Sequence, residues 1–235
     1  MDYSQYEEQE KKRIETAIRH LERGVNFVDI RTAYIDEDVV IGEGTLIGPC
    51  VTLERGTVIG KNCCIYQNSR IKACRIGDDV EVQSSVLIES QVGDGTKIGP
   101  FAYLRPGSVI GRECKIGDFV EVKNSSFGDG SKASHLTYIG DADVGKDVNI
   151  GCGVVFVNYD GTNKHRSTVG DGVFIGCNAN LVSPVKVENG AYIAAGSTVT
   201  ADVPEDALCV ARARQRTIEG WAARRGLYRK SSSGK

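Results

Sequence analysis

Three histidines are the side chains of this 235-residue chain whose ordinary pKa lies near neutrality, and each sits in a different setting. Taking a proton from an amine or a hydroxyl near pH 7 calls for such a group. His20 falls on a charged, helix-like stretch and reads as a solvated side chain. His165 lies between Lys164 and Arg166, whose charges oppose its protonation, and reads as a mobile surface residue. His135 lies in Ser-Lys-Ala-Ser-His-Leu-Thr-Tyr (131–138), the first place where an otherwise regular pattern thins out, and is the candidate for catalysis. A second irregular stretch, Val157-Asn-Tyr-Asp-Gly-Thr-Asn-Lys-His-Arg-Ser-Thr168, is polar and turn-rich. Where a regular scaffold departs from its pattern, chemistry is the favoured reason.

The pattern that positions these stretches has a period of six. From Ile35 the rungs are Ile41, Ile47, Leu53, Ile59, Ile65 and Ile71; after one-residue slips come Val92, Ile98, Leu104, Ile110, Ile116 and Val122. A last run passes from Val169 through Ile175, Leu181, Val187 and Ile193 to Val199. One aliphatic per six residues fits neither a helix nor a plainly alternating strand. It predicts an all-β fold, a parallel β-helix of hexapeptide repeats. Strand side chains alternate, so the residue two before each rung points inward with it, and these residues (Val39, Thr45, Cys63, Cys74, Ser108, Cys114, Ala179 and their kin) are all small. Three hexads per coil predict about nine coils in a prism on the order of 43 Å long. Only Ala133 stands as a rung between Phe127 and Ile139, and thirteen residues separate Phe156 from Val169. Such a rod hosts many functions, so the ladder alone is silent about activity.

Lysine plus arginine (29) nearly balance aspartate plus glutamate (31), for a net charge of -2, which weighs against nucleic acid or an anionic membrane as partner. No apolar run reaches the length of a membrane span, and the N-terminus lacks a basic-then-apolar leader pattern, so a cytoplasmic location is expected. The eight cysteines form no C-x-x-C pair. Cys63, Cys74 and Cys114 occupy the small inward slot as compact apolar side chains, so structural thiols are preferred over zinc or disulfides and no metal is expected. Ile14, Ala17, Ile18 and Leu21 at helical spacing, with Gly24 as a stop, predict a helix over residues 4–23 packed on the first coil or on something upstream of it. The expected division is a linker helix in 1–30, the β-helix in 31–210 and a basic tail in 211–235.

Five stretches carry a specific resemblance: Phe101-Ala-Tyr-Leu-Arg-Pro-Gly107, Phe119-Val-Glu-Val-Lys123, Ser134-His-Leu-Thr-Tyr-Ile-Gly-Asp141, Val148-Asn-Ile-Gly-Cys-Gly153 and Asn158-Tyr-Asp-Gly-Thr-Asn-Lys164. Together they resemble successive motifs of the C-terminal, acetyltransferase half of bifunctional N-acetylglucosamine-1-phosphate uridyltransferase/glucosamine-1-phosphate acetyltransferase. The similarity runs over nearly the whole chain. Nothing ahead of Ile35 resembles the glycine-rich, nucleotide-binding half, so the expectation is an acetyltransferase alone, either encoded as such or cut from a longer protein. The resemblance implies a left-handed β-helix, a homotrimer with sites between subunits, and acetyl transfer from acetyl-CoA to the amine of glucosamine 1-phosphate. It places the chain in UDP-N-acetylglucosamine and cell-wall precursor synthesis. The general crossover rule would have given the opposite hand.

By the same resemblance His135 matches the base that deprotonates the attacking amine. Glu121, one step before a rung on the preceding coil, either orients that imidazole, contacts the sugar or is a solvated corner carboxylate. A phosphate wants clustered cations, and Arg105, Lys123 and Lys164 match the family's set. Pro106 and Gly107 fix a turn after Arg105; a lone corner lysine is otherwise a solvated charge. Tyr138, Asn149 and Asn158 match sugar-binding positions, with a stacked polar ladder as the other reading of Asn149. Cys152, Tyr159, Cys177, Ala195 and Arg212 match the acetyl-CoA groove, a backbone N–H near Cys152 being the candidate oxyanion donor. Arg212, with Arg214 and Arg216 nearby, would meet the coenzyme phosphates or be part of a frayed tail. A zinc carbonic anhydrase would need three histidine ligands, and a bare scaffold would not need the insertion at 157–168. The alternative kept is a hexapeptide-repeat acetyltransferase for another sugar, amine or hydroxyl acceptor.

Overall fold

In the computed structural model, which describes residues 2–227, the chain winds into a left-handed parallel β-helix of about ten coils. Three faces of parallel strands alternate in rotation up to the last coil, where the third face has only an isolated Val187–Val203 bridge. The first runs from Asn26–Phe27 to Leu208–Cys209, the second from Tyr34–Ile35 to Thr198–Val199, and the third from Val40–Ile41 to Lys186–Val187. Most strands have two or three residues, an outward one followed by an inward rung. Register advances by one coil, mostly 17 or 18 residues, as in Val40 against Val58 and Val58 against Arg75, and by 25 across the insertion, as in Asn149 against Phe174. The count exceeds the expected nine because pairing continues past the aliphatic ladder at both ends, through Asn26–Phe27 and Leu208–Cys209.

Rungs and small inward residues form one continuous core, from Val25 to Val203. Cys63, Cys74 and Cys114 are buried in it as expected, and all eight thiols are free. Buried hydroxyls are tolerated there because each faces the chain of the next coil. Thr45 Oγ1 donates to the Gly60 carbonyl and accepts from the Cys63 N–H, and Thr96 repeats this with Gly111 and Cys114. At Ala133 the ladder is thinner but unbroken, since Lys132–His135 pairs along its whole length with Lys115–Asp118.

The N-terminal helix, Tyr3–Glu22, opens with Asp2 and Gln5 capping each other's backbone. Its inner stripe is Thr16, Ala17 and His20, with Arg13 donating to the Ala33 carbonyl. Ile18 and Leu21 are exposed, so the helix is rotated from the orientation its aliphatic spacing implies. The solvated reading of His20 is therefore corrected: the ring is 5% exposed and its Nδ1 has no partner. Beyond Cys209 the chain runs past the last coil to a short helix, Trp221–Arg224, and residues 228–235 of the expected basic tail lie outside the described residues. Among the described residues no helix is long and apolar enough to cross a membrane.

Candidate active site

The catalytic candidate sits on one corner of the prism, between the first and second faces. His135 ends the strand Lys132–His135, and its Nδ1 lies 2.5 Å from Asp118 Oδ1, its register partner one coil below. Ala133 pairs with Ile150, Ile150 with Ile175 and Ile175 with Ile193. Carried two residues on, that register stacks His135, Cys152, Cys177 and Ala195 in one column at intervals of about 4.8 Å. Among the described residues the Cys152 N–H donates to nothing in its own chain, while its carbonyl accepts from Asn178. Arg212 reaches the top of this corner beside Gly196. Four of the five residues matched to a coenzyme groove thus share one edge with the histidine. Tyr159 does not: it lies across the second face, its hydroxyl on the Gly161 carbonyl.

The other edge of the second face carries the cations. Arg105 Nη1 contacts Glu121 Oε1 at 2.8 Å, and Lys123 Nζ stands 3.4 Å from Asp141 Oδ2. Asp141 is buried and acts as the hub of this edge, accepting from Asn124 at 2.6 Å and from Asn158 at 2.5 Å. Burial alone would raise the Asp141 pKa, but the hydrogen bonds from Asn124 and Asn158 and the charge of Lys123 outweigh it and hold the carboxyl low. Lys123 is raised, its ammonium set against the Lys164 amine and the Asp141 carboxylate. Lys164 is lowered by the same ammonium. Asn158 Nδ2 also lies 3.4 Å from the Tyr138 hydroxyl. Both pass over Gly140, where a Cβ would collide with them.

The insertion begins after Val155–Val157 at this second edge. It doubles back through a Tyr159–Lys164 bridge and rejoins the third face at Ser167–Val169. Asp160 ties it together, accepting from the Asn163 and Thr162 N–H groups and facing His165 Nε2 at 2.7 Å, bonds that hold its carboxyl well below the usual range. His165 therefore has a carboxylate partner that its cationic sequence neighbours conceal. Arg166 clips the loop to the prism through Asp143 and the Asn124 and Ala142 carbonyls.

Arg105, Glu121, Lys123, Tyr138, Asn158 and Lys164 are thus gathered on one edge, and His135, Cys152, Cys177, Ala195 and Arg212 on the other. Asn149 stays apart on the outer first face, between Lys132 and Phe174, so no polar ladder forms there. Glu121 is engaged by Arg105, and the carboxylate on the imidazole is Asp118 instead. Asp118 and Asp141 escaped the sequence reading, although coil spacing points to both: Asp118 precedes His135 by 17 residues and Asp141 follows Lys123 by 18. Among the described residues no three His, Cys, Asp or Glu side chains gather as a metal site.

The family described as bacterial transferase hexapeptide (six repeats) matches residues 38–73, 89–124 and 166–201. The bifunctional protein GlmU of Clostridium beijerinckii is 58% identical over 210 residues, covering 89% of this chain and 46% of that protein. GlmU of Clostridium novyi is 55% identical over 221 residues, 94% of this chain and 48% of that one. The chain thus carries hexapeptide repeats over these residues and is similar to part of GlmU. It spans about half the length of these curated relatives. Among solved structures, LpxA of Bacteroides fragilis, a UDP-N-acetylglucosamine acyltransferase, superposes with a TM-score of 0.57 at 20% identity, over 75% of this chain and 69% of that one, which supports the fold.

Proposed function

We propose that this chain transfers the acetyl group of acetyl-CoA to the amine of glucosamine 1-phosphate. The observation that carries the reading is the stacking of a free imidazole nitrogen and an unpaired backbone N–H in one column, with a cation cluster on the same face. His135 Nε2 has no partner among the described residues and is the nitrogen that takes the proton from the attacking amine. The carbon–nitrogen bond forms at the thioester carbonyl, whose oxygen becomes an oxyanion facing the Cys152 N–H. The carbon–sulfur bond then breaks, and the proton held by His135 passes to the departing coenzyme A thiolate. Arg105, Lys123 and Lys164 hold the acceptor phosphate, and Glu121, Tyr138, Asn149 and Asn158 its hydroxyls. Cys152, Tyr159, Cys177, Ala195 and Arg212 line the donor groove.

The column and the cations occupy opposite edges of one face, an arrangement suited to a homotrimer in which one copy's first edge meets another copy's second. That would bring Tyr159 and Asn149, isolated within a single chain, to a shared site. The test is thiol release with glucosamine 1-phosphate, serine or a galactoside as acceptor. Release with glucosamine 1-phosphate alone is expected, and its loss by at least ~100-fold in His135→Ala, the scale of general-base catalysis. Preference for serine or a galactoside would replace this reading with that of another hexapeptide-repeat acetyltransferase.

A further inference from the structure

We infer that Asp118 is the positioning residue of the acetyl-transfer base, an inference that rests on the role given to His135 above. Lys115–Asp118 and Lys132–His135 are the longest strands of the β-helix, four residues each where the rest have two or three, and they pair so that Asp118 meets His135. The extension depends on Gly117: a Cβ there would collide with the Ser134 carbonyl and push the two strands apart just before the pair. Beyond it the corner is braced. Phe119 and Leu136, which follow the two partners, adopt left-handed backbone (φ 56 and φ 46), a conformation that bulky side chains rarely take. Phe119 stacks on Phe101 one coil below, with ring centroids 5.5 Å apart, and the Leu136 N–H donates to the Asp118 carbonyl. The same left-handed turn recurs at other corners of the stack, Phe101 among them, so the pair sits on the fold's regular corner geometry.

The hydrogen bond itself gives Asp118 its effect. A carboxylate can only accept, so the proton of the neutral imidazole is kept on Nδ1 and the lone pair is left on Nε2, toward the column that rises through Cys152. When Nε2 takes a proton, the imidazolium is stabilised by the charge beside it. Asp118 is ionised for this purpose, its pKa lowered first by the hydrogen bond to His135. The other charged or titratable groups near the pair are Lys115 on the Asp118 strand, Lys132 on the His135 strand, Cys152 one coil above and Glu121 beyond the corner. Glu121 is already committed to Arg105.

Two measurements test the assignment. In Asp118→Asn, kcat for acetyl transfer falls by ~10–100-fold, part of what general-base catalysis supplies, while KM for both substrates stays within about twofold. Asp118→Glu recovers part of the rate. Nitrogen-15 NMR of the three histidines needs no substrate. The native chain shows His135 protonated on Nδ1, and Asp118→Asn shows mixed tautomers. An unchanged tautomer, or kcat within about twofold of native, overturns the role. A native chain inactive toward glucosamine 1-phosphate overturns the proposed reaction instead, and the NMR result still decides Asp118.

Discussion

Lys164 and Lys123 set two amines side by side, and the protein treats them unequally. Lys123 is pinned by Asp141, so its charge persists, and that charge makes the proton on Lys164 easier to lose. A phosphate bound between them would draw the second proton back. The acceptor KM should therefore rise with pH earlier than an ordinary lysine would dictate, because the neutral amine that forms above the lowered pKa no longer attracts an anion. Measured from pH 7 to 10, the rise should flatten in Lys164→Arg, whose guanidinium stays charged. Lys164→Ala should raise the acceptor KM on the order of 10-fold at pH 7.5 and leave the acetyl-CoA KM unchanged. None of this coupling was legible in the sequence. Lys123 and Lys164 lie 41 residues apart, and only the doubling back of the insertion brings them together.

Among elements, the strands were legible and the helix orientation was not. Six-residue periodicity reports directly which residues face the core, because each rung has no other way to be buried; every small inward position from Val39 to Ser197 is buried as its slot demands. The N-terminal helix has no such constraint. Arg13, reaching the Ala33 carbonyl and lying over the Tyr34 ring at 4.7 Å, turns Thr16 and His20 inward in place of Ile18 and Leu21. His20 is left with an orphan Nδ1, and its pKa is lowered by burial and then by Arg23 and Arg19. The folded site thus resists a proton that the unfolded chain accepts. Helix docking is fully supported above the ordinary histidine pKa of ~6.5 and weakens as pH falls through the lowered folded value. His20→Leu should remove that acid sensitivity and add about 1 kcal/mol at pH 7, read as a flatter dependence of Tm on pH between 7.5 and 5. The second edge has a comparable weak point in Gly140. Gly140→Ala should displace Tyr138 and Asn158, raising the acceptor KM several-fold while the far-UV circular dichroism of the strands persists.

For the whole molecule, the hexad ladder was enough to predict a prism, and the resemblance was enough to predict its hand. What lay beyond both is how the candidate site residues divide between edges, since a linear pattern records which residues recur but not which corner each recurrence occupies. That division makes an assembly prediction: a mass of three times the 25.3 kDa chain by light scattering, with the sites shared between copies. Mixing His135→Ala chains with Lys123→Ala chains should then restore part of the acetyl transfer that each lacks alone, because some edges pair two intact sides. No recovery after co-refolding would place each site within one copy.

Every residue assigned to the reaction lies from Arg105 upward, and the coils beneath contact only their immediate neighbours in the stack. The lower storeys are a pedestal. Ile59 and Ile76 occupy equivalent places one storey apart, so cutting out residues 60–76 would join matching ends and lower the tower by about 4.8 Å. A shortened protein that still acylates its acceptor would show that height is free to vary in evolution while the business end stays fixed.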